Sequence, residues 1–134
     1  KFNERFDLII ILGSISNLQS VKKSIRKAYK LLNKGGCIYI NYPDCSSITS
    51  KLYGNKHWMF TPSVNTFFSS SGIKILLEKE GFINVKIQRD WQKPPFSKLI
   101  THAKLPNIFK LKELSFSLPI SLPIPGLRTL IAYK

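Results

Sequence analysis

The sequence of 134 residues has few cysteines and no long apolar run. Cys37 and Cys45 are too few for a disulfide framework, and they lack the spacing of a zinc site. No stretch is long and apolar enough to cross a bilayer, and residues 1–7 contain no apolar signal-peptide core. We therefore expect a cytoplasmic chain without a transmembrane segment.

Acidic residues are also scarce, with 7 Asp and Glu against 21 Lys and Arg and a formal net charge of +14. A basic excess of this size is typical of proteins that bind nucleic acid or anionic membranes. Few of the basic residues are Arg, however, and Arg is the residue favoured for bidentate recognition of phosphates and bases. We interpret the lysines as a solvated surface and do not favour nucleic acid as the partner. The alternative is a binding module for a polyanion, formed by Lys22, Lys23, Lys27, Lys30 and the aromatic residues near Trp58.

Along the sequence, segments with the apolar spacing of a strand alternate with segments that have the spacing of a helix. An apolar run over residues 7–12, with three isoleucines, predicts a buried strand. Spacing and cap residues predict the later elements: a helix from Ser20 to Gly35 or Gly36, a strand at 37–43, a helix from Ser69 to Gly81, and strands at 84–91 and 127–134. The order strand, helix, strand, helix, strand, strand predicts an α/β fold.

The composition predicts one folded core, because 43% of the residues are apolar and 12% are aromatic. We expect a single domain over residues 1–134. Within it, residues 45–67 form an aromatic insert or lid, and residues 91–126 form a long Pro-rich connection.

Several short phrases occur in a characteristic order: Phe-Asp at 6–7, Leu-Leu-Asn-Lys-Gly-Gly at 31–36, Trp58 and Pro62, Phe-Ser at 68–69, and Gly-Phe at 81–82. Over about residues 4–90 the chain resembles the class I S-adenosylmethionine-dependent methyltransferases, and it is similar to their small-molecule, ubiquinone-biosynthesis-like branch. The resemblance implies the C-terminal half of a Rossmann-like fold, with a mixed sheet whose last strand is antiparallel. It also implies methyl transfer from S-adenosylmethionine to a small-molecule acceptor.

Members of that family bind the cofactor mainly through their first half, with a glycine-rich turn and an acidic residue for the ribose hydroxyls. Glycines let the backbone approach the ligand, and the carboxylate accepts hydrogen bonds from the diol. The sequence has neither feature, since Gly13 stands alone after its strand. We therefore expect a fragment that is inactive by itself.

Ligands in such sheets lie beyond the carboxyl ends of the strands. The resemblance therefore places Leu12, Gly13, Ser14 and Ile15 beside the cofactor. It places Tyr42, Trp58 and Asn65 at the acceptor, and makes Asn17 and His57 candidate catalytic residues. An ordinary turn at 14–17 and a packed His57 are the alternatives.

The first strand also predicts a partner. In the full fold it pairs with a strand of the first half, so that here it would form an apolar edge, and apolar edges are templates for pairing. We expect a homodimer, or association with the missing N-terminal half, through this strand. A dimerising, non-catalytic remnant is a further alternative.

Overall fold

The computed structural model describes residues 4–57, 60–62, 64–92 and 122–134. The helices and strands in these residues are β1 (Phe6–Leu12), α1 (Val21–Leu31), β2 (Leu32–Pro43), α2 (Ile48–Tyr53), α3 (Ser70–Lys79), β3 (Ile83–Gln92) and β4 (Leu122–Tyr133).

The chain divides into two compact units, Lys1–Asp90 with Pro125–Lys134, and Trp91–Ile124. A single domain over residues 1–134 remains a prediction. Most of the predicted connection at 91–126 lies outside the described residues, and β4 already begins at Leu122, within its last few residues.

The strands form one sheet in the order β1, β2, β4, β3. β1 runs parallel to β2, with Leu8 opposite Cys37 and Leu12 opposite Asn41. β4 runs antiparallel to β2, with Cys37 opposite Tyr133. The predicted mixed sheet with an antiparallel last strand is therefore confirmed. Because β1 and β2 are parallel, their carboxyl ends meet at the same end of the sheet.

The core lies between the sheet and the two longer helices. Its buried side chains come mainly from α1, β2, α3 and β4: Ile25, Ala28, Ile38, Ile40, Tyr42, Ile73, Leu77, Leu130 and Ala132. β1 contributes less, because Ile9 and Ile11 are only partly buried and Ile10 is exposed. This distribution follows from the position of β1 at the edge of the described sheet, where only β2 pairs with it. No helix in the described part of the chain is long and apolar enough to span a membrane.

The predicted end of α1 at Gly35 or Gly36 is wrong. The helix stops at Leu31, because Leu32 is extended, fully buried and paired with Phe6 of β1. Gly35 does have a left-handed φ of +77°, but it lies within β2, near the point where the pairing with β1 shifts register. The second strand therefore begins five residues earlier than the predicted start at residue 37.

Two further local expectations need correction. Ser20 stands before α1 as predicted, yet its side chain makes no capping hydrogen bond, and its carbonyl oxygen accepts from the Ser24 hydroxyl at 3.0 Å. Within the insert, residues 48–53 form the helix α2, where no helix was predicted. Its start is capped by Ser47, whose hydroxyl accepts from the backbone N–H of Ser50 at 3.2 Å. Serine caps of this kind satisfy backbone donors that a helix start leaves free.

Both predicted ends of α3 are confirmed. The Ser69 hydroxyl accepts from the N–H of Gly72 at 3.1 Å, which caps the helix start. At the other end Gly81 adopts a φ of +99°, and the N–H of Phe82 donates to the carbonyl oxygen of Leu77 at 3.1 Å. The buried ring of Phe82 then connects this turn to the core.

We expect Gly81→Ala to destabilise the fold. A Cβ at this position would lie 2.9 Å from the ring of Tyr29, which packs edge-on against Phe82, and φ is unfavourable for any other residue. The expected loss in free energy of unfolding is roughly 1–3 kcal/mol, measured by denaturant titration. Gly35→Ala is the matched control and should lose less, because φ is also positive there but no atom lies within 4 Å of the added Cβ. Equal losses for the two variants would contradict the role of the Tyr29 contact.

Candidate active site

The turn after β1 lies at the carboxyl end of the sheet. The N–H of Gly13, whose φ is +60°, donates to the carbonyl oxygen of Asn41 at 3.2 Å. Ile15 is fully buried in the core and begins one turn of 3-10 helix. The other three residues predicted to contact a cofactor are exposed: Leu12, Gly13 and Ser14. Three of the four predicted residues are thus accessible, and Ile15 supports the turn from the core.

The segment before α3 packs on this turn. The backbone N–H groups of Asn65 and Thr66 both donate to the carbonyl oxygen of Ser16, at 3.1 and 3.0 Å. The side-chain amide of Asn65 donates to the carbonyl oxygen of Asn17 at 3.1 Å. The structure therefore brings together Asn17 and Asn65, which were predicted separately from the sequence. The Asn65 amide binds backbone here, and so it fixes the position of the turn.

Ser16 was not predicted as a site residue. Its side chain is buried, and its hydroxyl has no hydrogen-bond partner among the described residues. A buried hydroxyl without a partner is uncommon, because it has lost water without gaining a replacement. Nothing in the sequence distinguishes Ser16 from its neighbours Ser14 and Ser20.

Asp44 organises the carboxyl end of β2. Only 2% of its surface is exposed. One carboxylate oxygen accepts from the backbone N–H of Ser46 at 2.9 Å and from the Ser46 hydroxyl. The other accepts from the Ser70 hydroxyl at 2.8 Å and from Nε of Arg128 at 3.3 Å. One buried carboxylate therefore links the end of β2 to the start of α3 and to β4.

Burial and these hydrogen bonds shift the pKa values of Asp44 and of its neighbour Tyr42. Burial alone would raise the pKa of Asp44, but hydrogen bonds from Ser46, Ser70 and Arg128 together hold it below its ordinary value. Burial also raises the pKa of the neighbouring Tyr42 to about 12. The Tyr42 hydroxyl lies 3.2 Å from the Ser70 hydroxyl, and its ring is fully buried. Tyr42, predicted to contact the acceptor, thus lies in the core with its hydroxyl in the Asp44 network.

The Asp44 network predicts a loss of stability in acid. The pKa of Asp44 is lowered in the folded protein, so the unfolded chain takes up the proton first as the pH falls. The stabilisation is therefore fully present above the unfolded pKa of about 4, and it is lost as the pH falls through the lower pKa of the folded state. Urea titration between about pH 2 and pH 6 measures this dependence, and Asp44→Asn should reduce it. An unchanged dependence in that variant would assign the acid sensitivity to other carboxylates.

His57 follows α2 and is also buried. Its Nε2 lies 3.3 Å from the hydroxyl oxygen of Thr49, and its ring centroid is 6.3 Å from those of Tyr53 and Phe60. Burial lowers the pKa of His57, so that the neutral ring is favoured near neutral pH. Trp58, the other residue predicted in this segment, lies outside the described residues.

The lysines of the alternative polyanion site lie on α1. All four are exposed: Lys22, Lys23, Lys27 and Lys30. Nearby, Arg26 forms a bidentate ion pair with Glu80, in which Nε and Nη2 donate to the two carboxylate oxygens at 2.7 and 3.1 Å. Lys23 and Lys27 border an open depression together with the polar residues Gln19, Ser20 and Ser24, which is typical of a solvated helix face.

The comparison with protein families gives a match to a methyltransferase domain over residues 1–87. A comparison with curated proteins found no match. Among solved structures, an S-adenosylmethionine-dependent methyltransferase from Thermotoga maritima is 17% identical with a TM-score of 0.63, over 100% of this chain. One from Archaeoglobus fulgidus is 19% identical with a TM-score of 0.61, over 98% of this chain. Phosphoethanolamine N-methyltransferase 2 from Haemonchus contortus, solved with S-adenosylmethionine, is 15% identical with a TM-score of 0.54, over 96% of this chain.

This chain spans 60% of the length of the first two structures and 33% of the third. At these identities the likeness shows a shared fold, and the predicted partial Rossmann-like fold is confirmed. The predicted similarity to the ubiquinone-biosynthesis-like branch remains a prediction. The family match covers well over half of the residues, and the chain therefore belongs to the methyltransferase domain family.

Proposed function

We propose that this chain forms part of a methyltransferase that transfers a methyl group from S-adenosylmethionine to a small-molecule acceptor. The main support is the coincidence of the family match with an accessible turn at the carboxyl end of β1. In open α/β sheets this is the place where ligands bind. Relatives of the same fold are described as S-adenosylmethionine-dependent methyltransferases.

The residues of the turn suit one side of such a ligand. A Cβ at Gly13 would meet no atom within 4 Å, so there is open space beside this backbone. Leu12 supplies an exposed apolar side chain next to this space. The turn at 13–18 contains no carboxylate for the ribose hydroxyls. Leu12, Gly13 and Ser14 would therefore hold one side of the cofactor, and the rest of its site would come from outside this turn.

S-adenosylmethionine, when bound, supplies an electrophilic methyl group. The protein contributes mainly the orientation of the acceptor and the exclusion of water, with a base only where the acceptor must lose a proton. The Asn65 side-chain amide holds the turn at the carbonyl oxygen of Asn17, and Asn17 itself is exposed. His57 is the candidate base, because it lies in the segment proposed to cover the acceptor and histidine is the side chain most often used as a base near neutral pH. Trp58 and residues 45–67 are proposed to cover the acceptor.

We also propose that β1 pairs with a further strand, from a second copy of this chain or from a separate N-terminal half. Leu8, Ile10 and Leu12 are exposed along β1. Pairing would satisfy the backbone groups at this edge of the described sheet and remove apolar surface from water. The chain alone is expected to be catalytically inactive.

Calorimetric titration with S-adenosylmethionine and S-adenosylhomocysteine tests the proposed function. Because only one side of the cofactor site lies in this turn, we expect weak binding, with dissociation constants of roughly tens to hundreds of micromolar. Ser14→Trp should weaken binding at least about tenfold, because the new ring would occupy the space beside the turn. Ser71→Trp is the control, since Ser71 is an exposed serine in the first turn of α3. Binding should change little between low and high salt, whereas polyanion binding falls steeply with salt. Absence of binding, or equal weakening by both variants, would contradict the proposed site.

A further inference from the structure

The helix α2 turns polar residues toward the protein interior and apolar residues toward the solvent. Its serines face inward: Ser47 and Ser50 are buried, and the Ser50 hydroxyl donates to the carbonyl oxygen of Cys45 at 2.7 Å. Its apolar residues face outward, with exposed fractions of 82% for Ile48, 77% for Leu52 and 60% for Tyr53. Helices at a protein surface normally place apolar residues toward the core. The hydrogen bonds of the serines hold α2 in this orientation.

The segment around α2 is basic. From residue 45 to residue 77 the sequence contains Lys51, Lys56 and Lys74 but no Asp or Glu. Lys51 and Lys56 are both exposed, and Lys51 lies between Ile48 and Leu52 in sequence. The exposed part of α2 therefore combines apolar side chains with positive charge, in a chain whose net charge is +14.

We propose that Ile48, Leu52 and Tyr53 bind the surface of an anionic phospholipid membrane, with Lys51 and Lys56 contacting the headgroups. Burial of aliphatic side chains at the boundary of the acyl chains favours membrane binding, and so does the attraction of lysines to anionic lipid. Tyrosine is favoured at this boundary because its ring is apolar and its hydroxyl is polar. Nucleic acid would attract the lysines, but its phosphates would leave Ile48 and Leu52 in water. Binding to an anionic membrane therefore accounts for both the charge and the apolar side chains.

Cosedimentation of the full chain with vesicles tests this proposal. We expect binding to mixed phosphatidylcholine and phosphatidylglycerol vesicles and much weaker binding to phosphatidylcholine alone. The double variant Ile48→Ser and Leu52→Ser should reduce binding about tenfold or more, because two apolar side chains no longer enter the lipid. Lys51→Glu, a second variant on the exposed face, should reduce binding to the mixed vesicles only. Circular dichroism checks that each variant is folded.

Ile83→Ser is the matched control, since Ile83 is an exposed isoleucine on β3 and is not part of α2. It should leave vesicle binding unchanged. Unchanged binding by the double variant would overturn the proposal, and so would equal losses in the double variant and the control. Binding to single-stranded RNA without binding to the mixed vesicles would assign the lysines to nucleic acid and also overturn it. None of these results depends on cofactor binding, so the test is independent of the proposed function.

Discussion

Asp44→Ala is expected to lower the free energy of unfolding by roughly 3 kcal/mol, which corresponds to a fall in Tm of roughly 10 °C. The carboxylate is buried, and its removal leaves donors from Ser46, Ser70 and Arg128 without their acceptor. The hydrogen bonds of these donors are partly buried, so water replaces the lost acceptor only incompletely, and donors left without an acceptor are costly. Denaturant titration followed by circular dichroism measures the loss.

Glu78→Ala is the matched control for this prediction. Glu78 also forms an ion pair, with Lys74 at 3.8 Å, but both side chains are about half exposed. The expected change is within about 1 kcal/mol, because exposed ion pairs contribute little. If the two variants lost equal stability, Asp44 would not have the linking role that its contacts indicate.

The regular elements were predicted well where local chemistry decides them. Ser69 and Gly81 define α3 through a cap and a positive φ, and both act within a few residues of the helix. The prediction of the end of α1 was wrong because a contact that is distant in sequence decides where this helix stops. Leu32 leaves the helix because it pairs with Phe6, a contact between residues far apart in sequence, and local spacing does not report it.

For the candidate site, the sequence allowed the position of some residues to be predicted, whereas their contacts with a ligand remain predictions. The position of Leu12, Gly13 and Ser14 at the end of β1 follows from strand periodicity and from the general rule for such sheets. Asp44 was missed because its importance depends on Arg128, which lies 84 residues away along the chain, and on a serine of α3. A polar residue directly after a buried strand is the one signal that could have drawn attention to Asp44.

Ile10→Lys is expected to weaken self-association of the chain at least about tenfold, measured as the apparent dissociation constant in sedimentation velocity. Ile10 is 55% exposed near the centre of β1, so the variant should fold, yet a charge there opposes pairing of this edge with another strand. Natural sheets use lysine in this way to block pairing between edges.

Ile83→Lys provides the control at the opposite edge of the sheet. Ile83 is 57% exposed on β3, which lies at the far end of the strand order from β1. If both variants weakened association equally, the cause would be added charge on an already basic chain and not the pairing of β1. If the original chain were strictly monomeric at high concentration, the proposed homodimer would be wrong. Loss of association with Ile10→Lys alone would identify β1 as the interface, because only that substitution places a charge on the apolar edge.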